Sequence, residues 1–104
     1  MSYILVNCTT SNKKNALEIS KYLIEKKLAA CINIIPNIIS VYRWDGYVTE
    51  EEEFLLAIKT QKKLYKKLQA AILEKHEYEL PEIIAIPVQE GYDKYLKWVK
   101  DETK

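Results

Sequence analysis

The sequence is poor in the residues that break, cross-link or extend a chain. Two glycines, three prolines and two cysteines occur among 104 residues, so flexible linkers and a disulfide-stapled scaffold are excluded. No apolar run approaches the roughly 18 residues of a membrane-spanning helix. The N-terminus lacks the basic segment that precedes the apolar part of a signal peptide. We therefore expect a cytoplasmic protein with reduced cysteines.

An excess of charge of one sign is lacking as well. Sixteen basic side chains balance fifteen acidic ones, and the formal net charge is +1. A nucleic-acid binder normally carries a basic excess on one face, and a membrane-surface protein carries a polybasic cluster. Neither partner is expected. The length suffices for one domain, so residues 1–104 are interpreted as a single domain.

The apolar pattern predicts the element order βαββαβ followed by a short helix. Pro36-Asn37 interrupts the second strand and predicts a bulge or kink, and Asp45-Gly46 predicts a type I′ hairpin turn. The order is that of a ferredoxin-like α+β fold. Strands are expected at residues 3–9, 29–44, 47–60 and 83–88, and helices at residues 13–27, 62–75 and 92–100.

The strands are too apolar for a sheet with one face in water. In the second strand both Ile34 and Ile35 are apolar although they point to opposite faces, whereas a half-exposed sheet alternates with polar residues. The central hairpin is also about twice as long as the helices that cover it. A neighbouring subunit would cover both features. The alternative is a twisted hairpin that folds back on its own domain.

Three segments of the chain form a recognisable set. They are Leu28-Ala29-Ala30-Cys31-Ile32-Asn33-Ile34-Ile35-Pro36, Ser40-Val41-Tyr42-Arg43-Trp44-Asp45-Gly46 with the acidic run and Ala57-Ile58-Lys59-Thr60 that follow, and Tyr78-Glu79-Leu80-Pro81-Glu82-Ile83-Ile84-Ala85-Ile86-Pro87-Val88. In this order they resemble the CutA (divalent-cation tolerance) family. The resemblance continues through Tyr95-Leu96-Lys97-Trp98 and covers essentially the whole chain. It implies a homotrimer of ferredoxin-like subunits, linked to tolerance of divalent metals and especially of copper.

The resemblance also implies a copper(II) or other divalent-cation site, with Cys8 and His76 as its ligands and no organic cofactor. Thiolate and imidazole are good copper ligands. The second histidine of some members is Lys75 here, so the set lacks one ligand, which Glu77 or a neighbouring subunit would supply. The alternatives remain open: Cys8 and Cys31 as small buried side chains, and His76 as a helix C-terminal residue.

A cleft between subunits is the second candidate site. Trp44, Lys59, Tyr78 and Glu82 would line it and bind a small ligand, as in the nitrogen-regulatory signalling trimers that the family resembles in architecture. The alternative for Lys59 and Glu82 is a structural ion pair at an interface.

Two further classes share the element order but fit poorly. An acylphosphatase-like enzyme needs a glycine-rich loop with an arginine, and the single Arg43 lies beside a hairpin turn instead. An RNA-binding module needs aromatic residues on its central strands, which here read Ile-Asn-Ile-Ile and Leu-Leu-Ala-Ile. No nucleophile–base pair is recognisable, so a binding protein rather than an enzyme is expected.

Overall fold

The structure, a computed structural model, describes residues 2–104. Its elements follow the predicted order, with a short 3₁₀ turn at Lys62–Leu64 leading into the second helix. They are β1 (Tyr3–Thr10), α1 (Lys13–Glu25), β2 (Cys31–Trp44), β3 (Tyr47–Gln61), α2 (Tyr65–Lys75), β4 (Ile83–Val88) and α3 (Asp93–Asp101).

The four strands form one antiparallel sheet in the order β2-β3-β1-β4. Because β3 lies between β1 and β2, the β1-α1-β2 unit is split, which is the expected ferredoxin-like topology. Strands β2 and β4 are the edges of the sheet. The arrangement places the end of β1, the middle of β3 and the start of β4 beside one another.

One face of the sheet packs against α1 and α2 and forms the core. Alternate residues of each strand point to this face, as the two-residue period of a strand requires. Leu56 and Ile58 of β3 are fully buried there. The core consists of Ile4, Val6, Cys8, Ala16, Ile19, Leu23, Leu28, Ala29, Leu56, Ile58, Leu68, Ala71 and Ile72.

Helix α1 begins and ends with recognisable capping interactions. At its start the Asn12 side chain accepts a hydrogen bond of 2.8 Å from the Asn15 backbone N–H. At the other end Lys27 has a φ of 59°, and the Leu28 N–H bonds to the Leu23 carbonyl. This left-handed stop ends the helix at Glu25, two residues earlier than predicted.

The central hairpin extends far beyond the helices. The pairing of β2 with β3 shifts register between Ile35 and Ile38, and Asn37 has a φ of 61°, so the predicted bulge is confirmed. Asp45 and Gly46 both have positive φ, as the predicted type I′ turn requires. The hairpin gives the chain its longest dimension of 44 Å.

The second face of the sheet is covered only in part, by α3. Buried Gln61 donates a hydrogen bond of 2.7 Å to Thr103 Oγ1 and fixes the C-terminus. Ile35, Ile84 and Ile86 point to the same face and stay exposed. No helix within residues 2–104 is long and apolar enough to cross a membrane.

Candidate functional site

The candidate site lies where β1 ends, beneath the loop of residues 76–82 that joins α2 to β4. Cys8 pairs with Leu56 of β3 and Ile83 of β4, and the loop crosses this end of the sheet. The loop carries His76, Tyr78 and Glu82. Three separate parts of the sequence therefore meet at the end of the sheet where β1 terminates.

Both nitrogens of the His76 ring are engaged in hydrogen bonds. The Tyr78 backbone N–H donates to Nδ1 at 3.0 Å, and Nε2 lies 2.7 Å from the Thr9 carbonyl oxygen. Because Nδ1 accepts, Nε2 carries the proton and donates to Thr9. His76 also ends α2, where its backbone N–H bonds to the Ile72 carbonyl. The ring thus connects the loop to β1, next to Cys8.

Cys8 is fully buried in the core beside Ile4 and Val6. Burial, followed by the negative charges of Glu82 and Glu53, raises the pKa of its thiol to about 12. At neutral pH the side chain is therefore a protonated thiol. The thiolate, which is the form that binds metals, is disfavoured in the chain as it stands.

Tyr78 and Glu53 form the shortest hydrogen bond of the site. The Tyr78 hydroxyl donates a hydrogen bond of 2.5 Å to Glu53 Oε2, and Glu53 is only 5% exposed. Burial, then the neighbouring Glu53 carboxylate, raises the pKa of Tyr78 above its usual value. The rings of Tyr78 and His76 pack with their centroids 4.8 Å apart.

Two asparagines that the sequence reasoning assigned no site role hold the loop in place. Buried Asn15 donates to the Lys75 carbonyl at 2.9 Å and accepts from the Glu77 N–H at 3.3 Å. Asn12 donates to Glu77 Oε1 at 2.9 Å. A signal existed: Asn15 is one of two polar residues, with Ser20, on the buried face of α1, and a buried amide needs partners.

Of the four predicted cleft residues, only Tyr78 and Glu82 lie at this site within one chain. Trp44 pairs with Tyr47 at the hairpin tip, whereas Lys59 pairs with Leu5 and Cys31. Twelve residues of β3 separate Tyr47, the partner of Trp44, from Lys59, which is roughly 40 Å at about 3.3 Å per residue. Lys59 bonds to Asn33 Oδ1. The single ion pair within residues 2–104 joins Lys97 to Asp101.

The donors of one chain do not by themselves fit a copper ion. No three side chains of His, Cys, Asp or Glu come together as a possible metal site in the part of the chain that is described, residues 2–104. His76 has both ring nitrogens engaged, and Cys8 keeps its proton. Glu77, the suggested oxygen ligand, bonds to Asn12.

The fold and the site define a class of α+β proteins with a split βαβ sheet and a long central hairpin. The family model described as "CutA1 divalent ion tolerance protein" matches residues 4–102. The chain belongs to this family.

Relatives and solved structures agree with the assignment. The divalent-cation tolerance protein CutA of Thermus thermophilus is 41% identical over 95% of this chain and 96% of its own. The chloroplastic CutA of Arabidopsis thaliana is 43% identical over 97% of this chain. The crystal structure of CutA1 from Oryza sativa has a TM-score of 0.97 at 42% identity, covering 100% of this chain and 95% of that one.

The chain does not span every relative. It covers 56% of the Arabidopsis protein, and 54% of human CutA, to which it is 45% identical over 92% of this chain. Relatives named by compartment include this chloroplastic protein and a periplasmic one from Archaeoglobus fulgidus. The cytoplasmic location therefore stays a prediction.

Proposed function

We propose that the chain is a homotrimeric divalent-cation tolerance protein, a binding protein rather than an enzyme, whose cation site is completed between subunits. The observation that carries this proposal is the incomplete covering of the sheet. Apolar side chains remain exposed on the open face, and the hairpin extends beyond the helices without packing of its own. Relatives named as divalent-cation tolerance proteins support the link to metals.

Assembly accounts for both exposed features. Ile84 and Ile86 of β4 are 54% and 43% exposed, and Tyr95 and Trp98 of α3 are partly exposed as well. Exposed apolar patches of this kind mark contact surfaces. A two-stranded hairpin gains little stability in water by itself, so pairing with a neighbouring subunit stabilises it.

The assembly is tested by mass in solution. We expect light scattering after gel filtration to give three times the 12.2 kDa chain mass. Ile86→Asp should reduce the mass to that of the single chain, because a carboxylate would be buried against an apolar neighbour. Leu73→Asp, on the exposed side of α2, is the matched control and should leave the mass unchanged. A wild-type monomer would contradict the proposal.

The cation site requires the assembled form. Cys8 and His76 remain the proposed ligands within each chain. To bind an ion, the Cys8 thiol has to release its proton and the His76 ring has to give up its bond to Thr9 or Tyr78. The carboxylates of Glu82 and Glu53 supply negative potential at Cys8. A neighbouring subunit has to add a donor, since two ligands of one chain do not make a tight site. Copper(II) is the expected ion, because it leads the divalent affinity order for nitrogen and sulfur ligands.

Copper titration of the reduced protein by calorimetry separates the contributions of Cys8, His76 and the assembly to copper binding. We expect saturable binding at a fixed ratio per chain, clearly weaker in Cys8→Ser and His76→Ala and also in the dissociated Ile86→Asp variant, which keeps both ligands. Cys31→Ser is the matched cysteine control and should bind as wild type. Equally weak, unsaturable binding in every variant would show that Cys8 and His76 hold no metal.

A small-ligand-binding regulatory trimer is the second candidate. It is favoured by Lys59, whose ammonium on the open face contacts an amide, Asn33, rather than a carboxylate. Trp44 of one subunit, with Tyr78 and Glu82 of another, would then line the ligand cleft. Binding of a ligand at this cleft should change Trp44 fluorescence in the trimer, and Trp44→Phe identifies the signal against that of Trp98.

A further inference from the structure

A cavity lies at the opposite end of β1 from the site described above. It has a volume of about 610 Å³, within the range of pockets that bind small molecules. The start of β1, the end of β4 and the first turn of α2 enclose it. Its lining residues are Ser2, Tyr3, Ile4, Lys62, Lys63, Tyr65, Lys66, Ala85, Pro87 and Val88.

The charge at this cavity is entirely positive. Lys62, Lys63 and Lys66 line it, and no acidic residue does. Residues 54–73 contain five lysines and no aspartate or glutamate, in a chain whose net charge is only +1. Like charges this close repel one another unless a counter-charge is present. The three lysines make no ion pair within residues 2–104.

The backbone at the mouth of the cavity favours an anion as well. Helix α2 begins here, with no acidic residue in its first turn and no side-chain cap on Leu64. The preceding 3₁₀ turn has no side-chain cap either, at Gln61. The Lys62 and Tyr65 N–H groups are bonded to the Ser2 and Lys62 carbonyls, so the backbone contributes mainly the positive end of the helix dipole, which adds to the lysine charges.

One tyrosine ring, that of Tyr65, adds to the cavity. Tyr65 is half-buried at the start of α2, and the remaining lining is mainly aliphatic. Tyr3 also borders the cavity, but its side chain alternates with that of buried Ile4 and points to the opposite face of the sheet. A flat ring packs favourably against such a surface. The cavity therefore combines a cationic rim with an aromatic and aliphatic wall.

We propose that this cavity binds a small anion that carries phosphoryl groups and an aromatic ring. The ammonium groups of Lys62, Lys63 and Lys66 bind the phosphoryl oxygens, and the ring packs against Tyr65 and the aliphatic wall formed by Ile4, Ala85 and Pro87. Five residues of β1 separate Tyr3 from Cys8, about 17 Å at about 3.3 Å per residue, so this site is distinct from the proposed cation site.

Calorimetry of the full chain at low ionic strength tests the proposal with three probes: ADP, inorganic pyrophosphate and adenosine. We expect ADP to bind more tightly than pyrophosphate and adenosine not to bind measurably. The double substitution Lys62→Gln/Lys66→Gln should weaken ADP binding by about tenfold or more. Lys13→Gln/Lys14→Gln, which removes the same charge at the start of α1, is the matched control and should bind as wild type.

Four outcomes would overturn the proposal. Failure of both phosphorylated probes to saturate would exclude an anion site, and an equal loss in the control pair would indicate diffuse attraction only. Equal affinities for ADP and pyrophosphate would show that the Tyr65 ring and the aliphatic wall contribute nothing to binding. A smaller assembly in the lysine variant, with no anion binding by wild type, would assign the cavity to the acidic hairpin of a second copy.

Discussion

The helix-covered body and the hairpin arm, residues 38–53, share the strands β2 and β3 but differ in what covers them. In the body Leu56 and Ile58 are fully buried between the sheet and the helices. In the arm Tyr47 and Val48 are 76% and 70% exposed although they belong to the same strand, β3. The difference begins at the bulge after Ile35.

The comparison separates what the chain can stabilise alone from what it cannot. The body buries a contiguous core, and burial of apolar area is the main source of stability. The arm has cross-strand pairs but no second layer, so it has little cooperative stability of its own. Substitutions in the body should therefore change folding, and those in the arm should change assembly.

The largest expected effect is on the free energy of unfolding, which a substitution in the body should lower far more than one in the arm. Leu56→Ala should lower the free energy of unfolding by about 2–5 kcal/mol, since it removes a fully buried side chain and leaves a cavity. Val48→Ala, on the same strand in the arm, should change it by less than about 0.5 kcal/mol in the dissociated Ile86→Asp background. Urea unfolding followed by circular dichroism measures both.

A loss of similar size from both substitutions would mean that the arm folds back on the body. That result would remove the main argument for a neighbouring subunit, because the exposed side chains would then be covered within the chain. Retention of the solution mass by Leu56→Ala would show that the substitution acts on folding alone.

The root of the arm should respond with an intermediate effect. Tyr78→Phe removes the hydroxyl that donates to buried Glu53, and a buried carboxylate without this donor costs about 1–3 kcal/mol of stability. Thermal unfolding measures the loss. Tyr92→Phe, at an exposed tyrosine, is the control. An unchanged melting temperature for Tyr78→Phe would indicate that water replaces the hydroxyl.

The sequence predicted the fold well because each turn has a local cause. The pairs Asp45-Gly46 and Pro36-Asn37 each have strong conformational preferences of their own. Asp45, Gly46 and Asn37 all have positive φ in the hairpin. The end of α1 was missed because a lysine, Lys27, occupies the left-handed position where glycine is usual. The start of α2 was missed because a 3₁₀ turn precedes it.

The candidate site was less predictable because its geometry depends on contacts distant in sequence. The family resemblance points to Cys8 and His76, but the partners of His76 are backbone groups of Thr9 and Tyr78. Hydrogen bonds to backbone groups do not depend on the partner's side chain, so the sequence does not reveal them. The cleft residues Trp44 and Lys59 lie at opposite ends of the β2–β3 pairing. Only an assembly of subunits would bring them to one cleft.

The buried thiol predicts a loss of stability in alkaline solution. The pKa of Cys8 is raised in the folded state from its usual 9.0 to about 12, so its contribution is complete below pH 9 and is lost as pH rises through that interval. The unfolding free energy should fall by about 1.4 kcal/mol per pH unit from this one proton. Urea titrations of reduced protein between these pH values measure the slope.

The control for the thiol is the difference between two cysteine variants. Cys8→Ala should flatten the slope relative to wild type, while Cys31→Ala should retain it. Comparing slopes removes the constant packing cost of each substitution and the titration of lysines and tyrosines common to all three proteins. Identical slopes in all three would show that Cys8 ionises as easily in the folded as in the unfolded chain.

The smallest effect is expected at the tip of the arm, where it distinguishes local from global stability. Gly46 has a φ of 83° with open space around it, so Gly46→Ala strains only the backbone, by about 1 kcal/mol. In the Ile86→Asp background, amide exchange in residues 40–52 should become about five- to tenfold faster, while the body amides stay unchanged. Faster exchange in both regions would show that the arm unfolds together with the body, and the two regions would then be one cooperative unit.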